Sequence, residues 1–292
     1  MQSNNPVFRR SEEFHAGGTN AYGNQTYAGN GQTYQGYGAD PSTWGTGTPG
    51  APGQPTQAPP STGPMTIDTV VQKTAITVGL VILAALATWI VSPEITLDAT
   101  SEDLGPLFAA MTIGSLGAFA LSMVLSFKRV ISPALVLVFA VLEGVALGAI
   151  SKLFNALYEG NVVMGAVVGT FAAFAGTLAA YKFFNIQVGD KFRKFVIAAV
   201  FGMIGLSLME LVLSLFGAEI GLFGVSGLGM LTAVAGLVLG VFMLILDFDF
   251  VEQGIANGLP ERESWRAAFA MTVSLVWIYT NLLRILAFFS DN

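Results

Sequence analysis

The sequence predicts an all-α integral membrane protein with seven transmembrane helices, the chain being led by an unstructured N-terminal tail. Three observations carry that prediction. Only 11% of the 292 residues are charged while 53% are hydrophobic, and mean hydropathy is +0.64. A soluble domain carries about 25% charged residues, so the deficit points to lipid as the solvent. Seven apolar runs of spanning length follow residue 66, and basic residues fall on alternate loops between them.

Residues 1–66 form the predicted tail. They include "AYGNQTYAGNGQTYQGYG" and "GTGTPGAPGQPTQAPPSTGP". Such composition cannot bury enough apolar surface to offset the entropy of ordering it. A spacer with tyrosines along it is the preferred reading, and a partner-binding tail is the other. Residues 67–292 form the predicted transmembrane domain. No cleavable signal peptide is expected, because the first apolar run starts only near residue 74 and is long enough to stay as an anchor.

The runs cover approximately 74–92, 106–127, 132–154, 161–181, 195–217, 225–247 and 267–289. Each is close to the roughly 20 residues that cross a bilayer. Glycines at or near small-xxx-small spacing recur inside them: Gly114 and Gly117, Gly144 and Gly148, Gly165 and Gly169, Gly236 and Gly240. In lipid that spacing lets helix backbones approach closely.

The loops set the orientation. Lys128 and Arg129 join runs two and three; Lys182, Lys191, Arg193 and Lys194 join four and five; Arg262 and Arg266 join six and seven. The alternate loops are poor in bases: "SPEITLDATSEDLG" is acidic, the turn after run three has only Lys152, and "GAEIGLFGVSG" has none. By the positive-inside rule the tail is expected in the cytoplasm and the C-terminus outside.

Composition also excludes chemistry. The chain has no cysteine and one histidine, His15, in the tail. Disulfides, thiolate metal sites, histidine triads and zinc-protease motifs are therefore absent from the bundle. The last run has no lysine for a retinal Schiff base, and no basic patch suits a nucleic acid. Neither an enzyme nor a resident cofactor is expected.

Ionisable residues inside a span are costly and mark functional candidates. At about 1.5 Å per residue, Glu143 lies about 16 Å from the tail side, Glu210 about 22 Å and Arg284 about 27 Å. Glu143 is thus near mid-membrane. Glu210 and Arg284 share the outer half, where they could pair; an unpaired, snorkelling Arg284 is the other reading. Asp247 ends the sixth run, in "LILDFDF" (244–250). Residues i and i+2 of a helix point about 200° apart, so Asp247 and Asp249 cannot face the same lumen. Flanking Phe248 and Phe250 suggest a helix end frayed at the interface. Asp249 is expected to face water or headgroups. Asp247 either marks the same boundary or faces the bundle interior, the latter being the expectation adopted.

Three segments carry a resemblance to a known family. "VLEGVALGAIS" (141–151), "LILDFDF" (244–250) and "AFAMTVSLVWIYTNLLRILAFF" (268–289) together resemble the Glu-Gly-x-x-Leu-Gly signature, the sixth-span aspartate and the last helix of the Bax inhibitor-1/YccA-like, or transmembrane BAX inhibitor motif, family. The resemblance covers roughly 66–290, and the tail with its "NPVFRR" head resembles actinobacterial members. It implies a bacterial plasma-membrane protein with the last helix central. It also implies a pH-sensitive cation leak, with calcium passing a pair of aspartates near the cytoplasmic side. Other members are associated with a membrane-bound quality-control protease, which implies a non-conducting regulator as the alternative. Asp247 matches the sixth-span aspartate and is the implied transient calcium contact. The second aspartate falls on Ser274, a departure that resembles the YccA-like branch. Two close carboxylates would share a proton and sense pH; one carboxylate and a hydroxyl would not. The implied ion path thus comprises Asp247, Glu143 and Ser274 with Asp249 beside it. Membrane lipids are the remaining expected partners.

Overall fold

The computed structural model describes residues 63–95, 104–158, 160–218 and 220–290. The expected unstructured tail lies almost wholly outside them. The helices are α1 (Ile67–Val91), α2 (Gly105–Phe127), α3 (Pro133–Leu157), α4 (Val162–Phe183), α5 (Asp190–Leu215), α6 (Gly227–Ala256) and α7 (Ser264–Ser290). Seven spans, each long and apolar enough to cross a membrane, are present among the described residues. Their outward faces remain rich in exposed apolar side chains such as Ile90, Phe127, Phe201 and Leu231. This is the surface a bilayer solvates.

Helix α7 is central. It packs against α1, α3, α4 and α6, whereas α2 lies mainly on α3 and α5 mainly on α6. Lipid tails are as apolar as leucine, so helices in a membrane are held by close packing and by polar contacts. Both are concentrated on α7. Ser264 Oγ meets Thr69 Oγ1 at 2.8 Å, and Thr272 Oγ1 donates to Thr77 Oγ1 at 3.1 Å; both join α7 to α1. Tyr279 Oη meets Ser151 Oγ on α3 at 2.6 Å. Trp277 Nε1 donates to the Gly236 carbonyl on α6 at 2.8 Å.

The glycine pairs do what their spacing suggests. Gly144 and Gly148 bring α3 onto the backbone of α1: a Cβ at Gly148 would stand 2.9 Å from Ala85 Cα. Gly236 and Gly240 bring α6 onto Asn281, Ile278 and Trp277 of α7.

Three boundaries differ from the expected ones. The first helix starts at Ile67, about two turns before the apolar run at 74, because its polar residues have partners. Thr66 caps it, accepting from the Thr69 N–H at 3.2 Å, and Lys73 is buried, with Nζ 2.8 Å from Glu261 Oε1. The packed chain begins earlier still, at Gly63. Met65 donates to the Leu259 carbonyl, and Glu261 donates to that of Gly63. Met65 itself is 1% exposed. Residues 63–66, at the end of the expected tail, thus pack on the 6–7 turn. The sixth helix does not end at Asp247; it continues to Ala256, so Asp247 and Asp249 sit in regular helix and not at a frayed end.

Lys152 also moves. It lies in α3, not in the turn after it, and its Nζ donates to the carbonyls of Trp89 and Ser92 at the C-terminus of α1. A cation there complements the carbonyl end of a helix.

The contacts fix an up-and-down order. The start of α1, the 2–3 turn and the 6–7 turn meet at one end: Arg262 donates to the Ile131 carbonyl, and Arg266 to that of Arg129. The end of α4 and the start of α5 reach the same end, through Tyr181 to Glu252 and Arg193 to Asp249. It carries all the strongly basic loops and is called the basic face below.

Candidate functional site

The site is built where α6 crosses α7. The helices run antiparallel, and their contacts follow a stripe on α6 at Gly236, Gly240, Leu244 and Asp247, spaced by four, four and three residues. Gly236 and Gly240 touch Asn281 and Ile278, and Leu244 is fully buried. Asp247 continues the stripe toward the basic face, where Ser274 Oγ donates to its Oδ2 at 2.6 Å. Ser274 is 1% exposed and Asp247 is half-buried. A carboxylate in the apolar zone thus has one short, charge-assisted hydrogen bond from the central helix. The structure brings these two candidates together and turns Asp247 inward.

Asp249 behaves otherwise. Two residues on, it points to α5 on the stripe of Leu239, Phe242 and Leu246, which pack against Val196, Phe192 and their neighbours. Arg193 Nη2 lies 2.8 Å from Asp249 Oδ2, and Gln253 Nε2 donates to the same oxygen at 2.7 Å. Asp249 is 7% exposed. The 200° separation of the two acids holds, but the expectation that Asp249 faces water or headgroups is corrected. A partner on a neighbouring helix lets it be buried at the helix flank. In the sequence Arg193 is one of the bases of the 4–5 loop; its place opposite Asp249 needs the α5–α6 packing. Phe248, between the acids, faces α4 and stacks edge-on with Phe174, ring centroids 5.6 Å apart.

Glu143 is half-buried on α3. It shares a stripe with Ala140 and Leu147, which belong to the core around Tyr279 and Leu283. No hydrogen bond or ion pair to its carboxylate is found among the described residues, and it does not join Asp247 and Ser274.

Glu210 and Arg284 do not form the ion pair that sequence suggested. The ion pairs among the described residues are Lys73–Glu261, Arg193–Asp249 and Arg266–Glu263. Both residues instead hold the 5–6 loop. The Gly221 N–H donates to Glu210 Oε1 at 2.8 Å. Arg284 Nη2 donates to the carbonyls of Leu222 and Gly229 at 2.8 and 2.9 Å and to Thr232 Oγ1 at 2.9 Å. Backbone carbonyls hold the guanidinium that the Glu210 carboxylate could have held. Arg284 does not snorkel freely either; its charge is spent inside the bundle, over the Phe223 ring at 5.2 Å.

Calcium takes six to eight oxygen ligands when held in a resident site. Asp247 and Ser274 supply a carboxylate and a hydroxyl, and no group of three or more His, Cys, Asp or Glu side chains fit for a metal is found among the described residues.

The decisive comparison is with protein families. The family model described as Bax inhibitor 1 like matches residues 5–291. The chain belongs to the Bax inhibitor 1-like family. As a member it is a multi-pass membrane protein, in agreement with its seven spans. The match takes in the tail as well as the bundle, where the three quoted segments lay within 141–289. No match is found among curated proteins.

Proposed function

We propose that this Bax inhibitor 1-like protein is a pH-sensitive cation leak channel or transporter of the bacterial plasma membrane, with calcium as the cargo. The supporting observation is the Asp247–Ser274 contact between α6 and the central α7. An ionisable group inside a membrane is retained at a cost, and it characteristically marks an ion or proton path. Asp247 can bind a cation or a proton but not both at once, which links flux to pH. Glu143, half-buried on the stripe facing the core, is a second carboxylate along the span. The basic loops support a cytoplasmic tail and an external C-terminus; in that orientation Asp247 would lie toward the cytoplasmic mouth.

The test is calcium and proton flux through proteoliposomes of the purified full chain. Wild type should carry calcium in a pH-dependent way; Asp247→Asn should change the flux and flatten its pH response. A wild type that carries no ions defeats the proposal.

One observation favours a second reading. Asp247 meets a hydroxyl and not a second acid, and the resemblance implies that the paired acids carry the pH-sensitive leak. A non-conducting regulator that binds a membrane protease would need no such pair. Recovery of a protease with the full chain, together with absent flux, would select it.

A further inference from the structure

Helices α1 and α4 each pack against α7, and between them runs a groove of about 870 Å³. Its floor is Phe248 and Val251 of α6 with Met271 and Leu275 of α7, and Val71 and Phe174 stand on its walls. On α1 it extends from Ile67 to Val78, about 16 Å at the helical rise. That is roughly one leaflet, half of a hydrocarbon core of about 30 Å. At that depth its largely apolar lining matches the chemistry of an acyl chain.

The end at the basic face is polar and carries both signs of charge. Lys182 and Glu252 line it together with Tyr181 and Asn185. Tyr181 Oη donates to Glu252 Oε2 at 2.6 Å, which fixes the carboxylate at the rim. Lys182 is exposed at the last turn of α4. A second cavity of about 200 Å³ continues from Val78 to Trp89 in the other leaflet, and no charged residue lines it. Of these two cavities, the one at the basic face carries the charged rim.

We infer that the α1–α4 groove is a binding site for a phospholipid with a primary-amine headgroup, phosphatidylethanolamine in type. Its acyl chain lies along Val71 and Phe174, its phosphate on Lys182 and its ammonium on Glu252. A primary ammonium donates charge-assisted hydrogen bonds to a carboxylate. A quaternary choline has no such donor, and a glycerol headgroup offers Glu252 neutral hydroxyls in place of a cation, leaving the lipid's net negative charge beside the carboxylate.

The test uses the full chain in phosphatidylcholine vesicles. These are doped with trace photoactivatable lipid, its diazirine on the acyl chain and its headgroup ethanolamine, glycerol or choline, and labelled peptides are mapped by mass spectrometry. The ethanolamine probe should label the segments of Val71 and Phe174 about fivefold more than the choline probe, the effect of roughly one charge contact at a membrane surface. Both rim residues are at exposed positions: Glu252→Gln should remove that preference, and Lys182→Gln, which takes away the phosphate contact the three headgroups share, should lower labelling by all three. Glu252→Gln should at the same time raise labelling by the glycerol probe. Ala75→Phe, which narrows the groove from a lining position, should lower labelling by all three. Equal labelling by the ethanolamine and choline probes overturns the inference. So does a wild-type preference for the glycerol probe, indifference to both rim variants, or equal labelling at Leu116 and Phe201 on other faces of the bundle.

Discussion

Ser274 Oγ donates to Asp247 Oδ2 across 2.6 Å, joining the central helix α7 to α6 inside the apolar zone. The pair offers a direct handle on pH sensing. Ser274→Asp sets two carboxylates face to face, and such groups titrate as a coupled pair. Flux measured against pH should change from a single-carboxylate profile to one with two separated steps. Ser274→Ala should keep a single step and cost about 1–2 kcal/mol of stability through the lost hydrogen bond. An unchanged profile in Ser274→Asp would show that Asp247 does not control the path.

Asp249 and Arg193 should be coupled in stability and not in flux. Arg193 keeps 43% of its side chain exposed, so solvent screens the pair and the coupling should be about 1 kcal/mol, well short of a dry ion pair. A double-mutant cycle with Arg193→Gln and Asp249→Asn, read by unfolding in detergent, measures it. Zero coupling would mean that Gln253 alone accounts for the burial of Asp249.

Truncation should separate residues 1–62 from 63–66. The first stretch has no core-forming pattern, so its deletion should leave the melting temperature nearly unchanged. Removing 63–66 as well takes away the buried Met65 and the Thr66 cap. Met65→Ala should cost about 2–4 kcal/mol and Thr66→Ala about 1 kcal/mol. Equal melting temperatures for both truncations would show that the Met65 contact with the 6–7 turn contributes nothing.

Reporters fused to the two termini should give opposite sides of the membrane, the tail with the basic face and Asn292 across from it. Seven spans require this. Both termini on one side would refute the span count.

At Glu143, Gln keeps the shape and hydrogen-bonding capacity of the side chain, whereas Leu removes both. If the position lines the path, Glu143→Leu should lower flux well below Glu143→Gln while the two fold equally. Equal flux in both variants and wild type would assign Glu143 no part in conduction.

Much of the architecture was legible in the sequence because lipid imposes a simple code. Every backbone polar group must be satisfied within its own segment, so each span is an apolar helix of fixed length. The seven runs, the alternating basic loops and the small-residue pairs Gly144–Gly148 and Gly236–Gly240 all follow from that code. For Asp247 the sequence left two readings, water boundary or bundle interior; the structure agrees with the second, Asp247 lying eleven residues, three helical turns, beyond Gly236 on the same stripe.

The code is silent about polar side chains that find partners on another helix. Hydropathy started α1 near 74 because Thr69 and Lys73 looked like loop, and it stopped α6 at 247 because two acids looked like water. Ser264, Glu261, Ser274 and Arg193 reverse both readings, and each is distant in sequence from the residue it satisfies. By itself the sequence determined how many helices cross the membrane and which loops share a side. Only the tertiary structure decided that Asp249 is buried on Arg193, that Arg284 holds loop carbonyls and not Glu210, and that α1 and α4 leave a groove between them. The physical reason is that burial in lipid is a property of one segment, whereas satisfying a buried charge takes two, and only packing chooses the second.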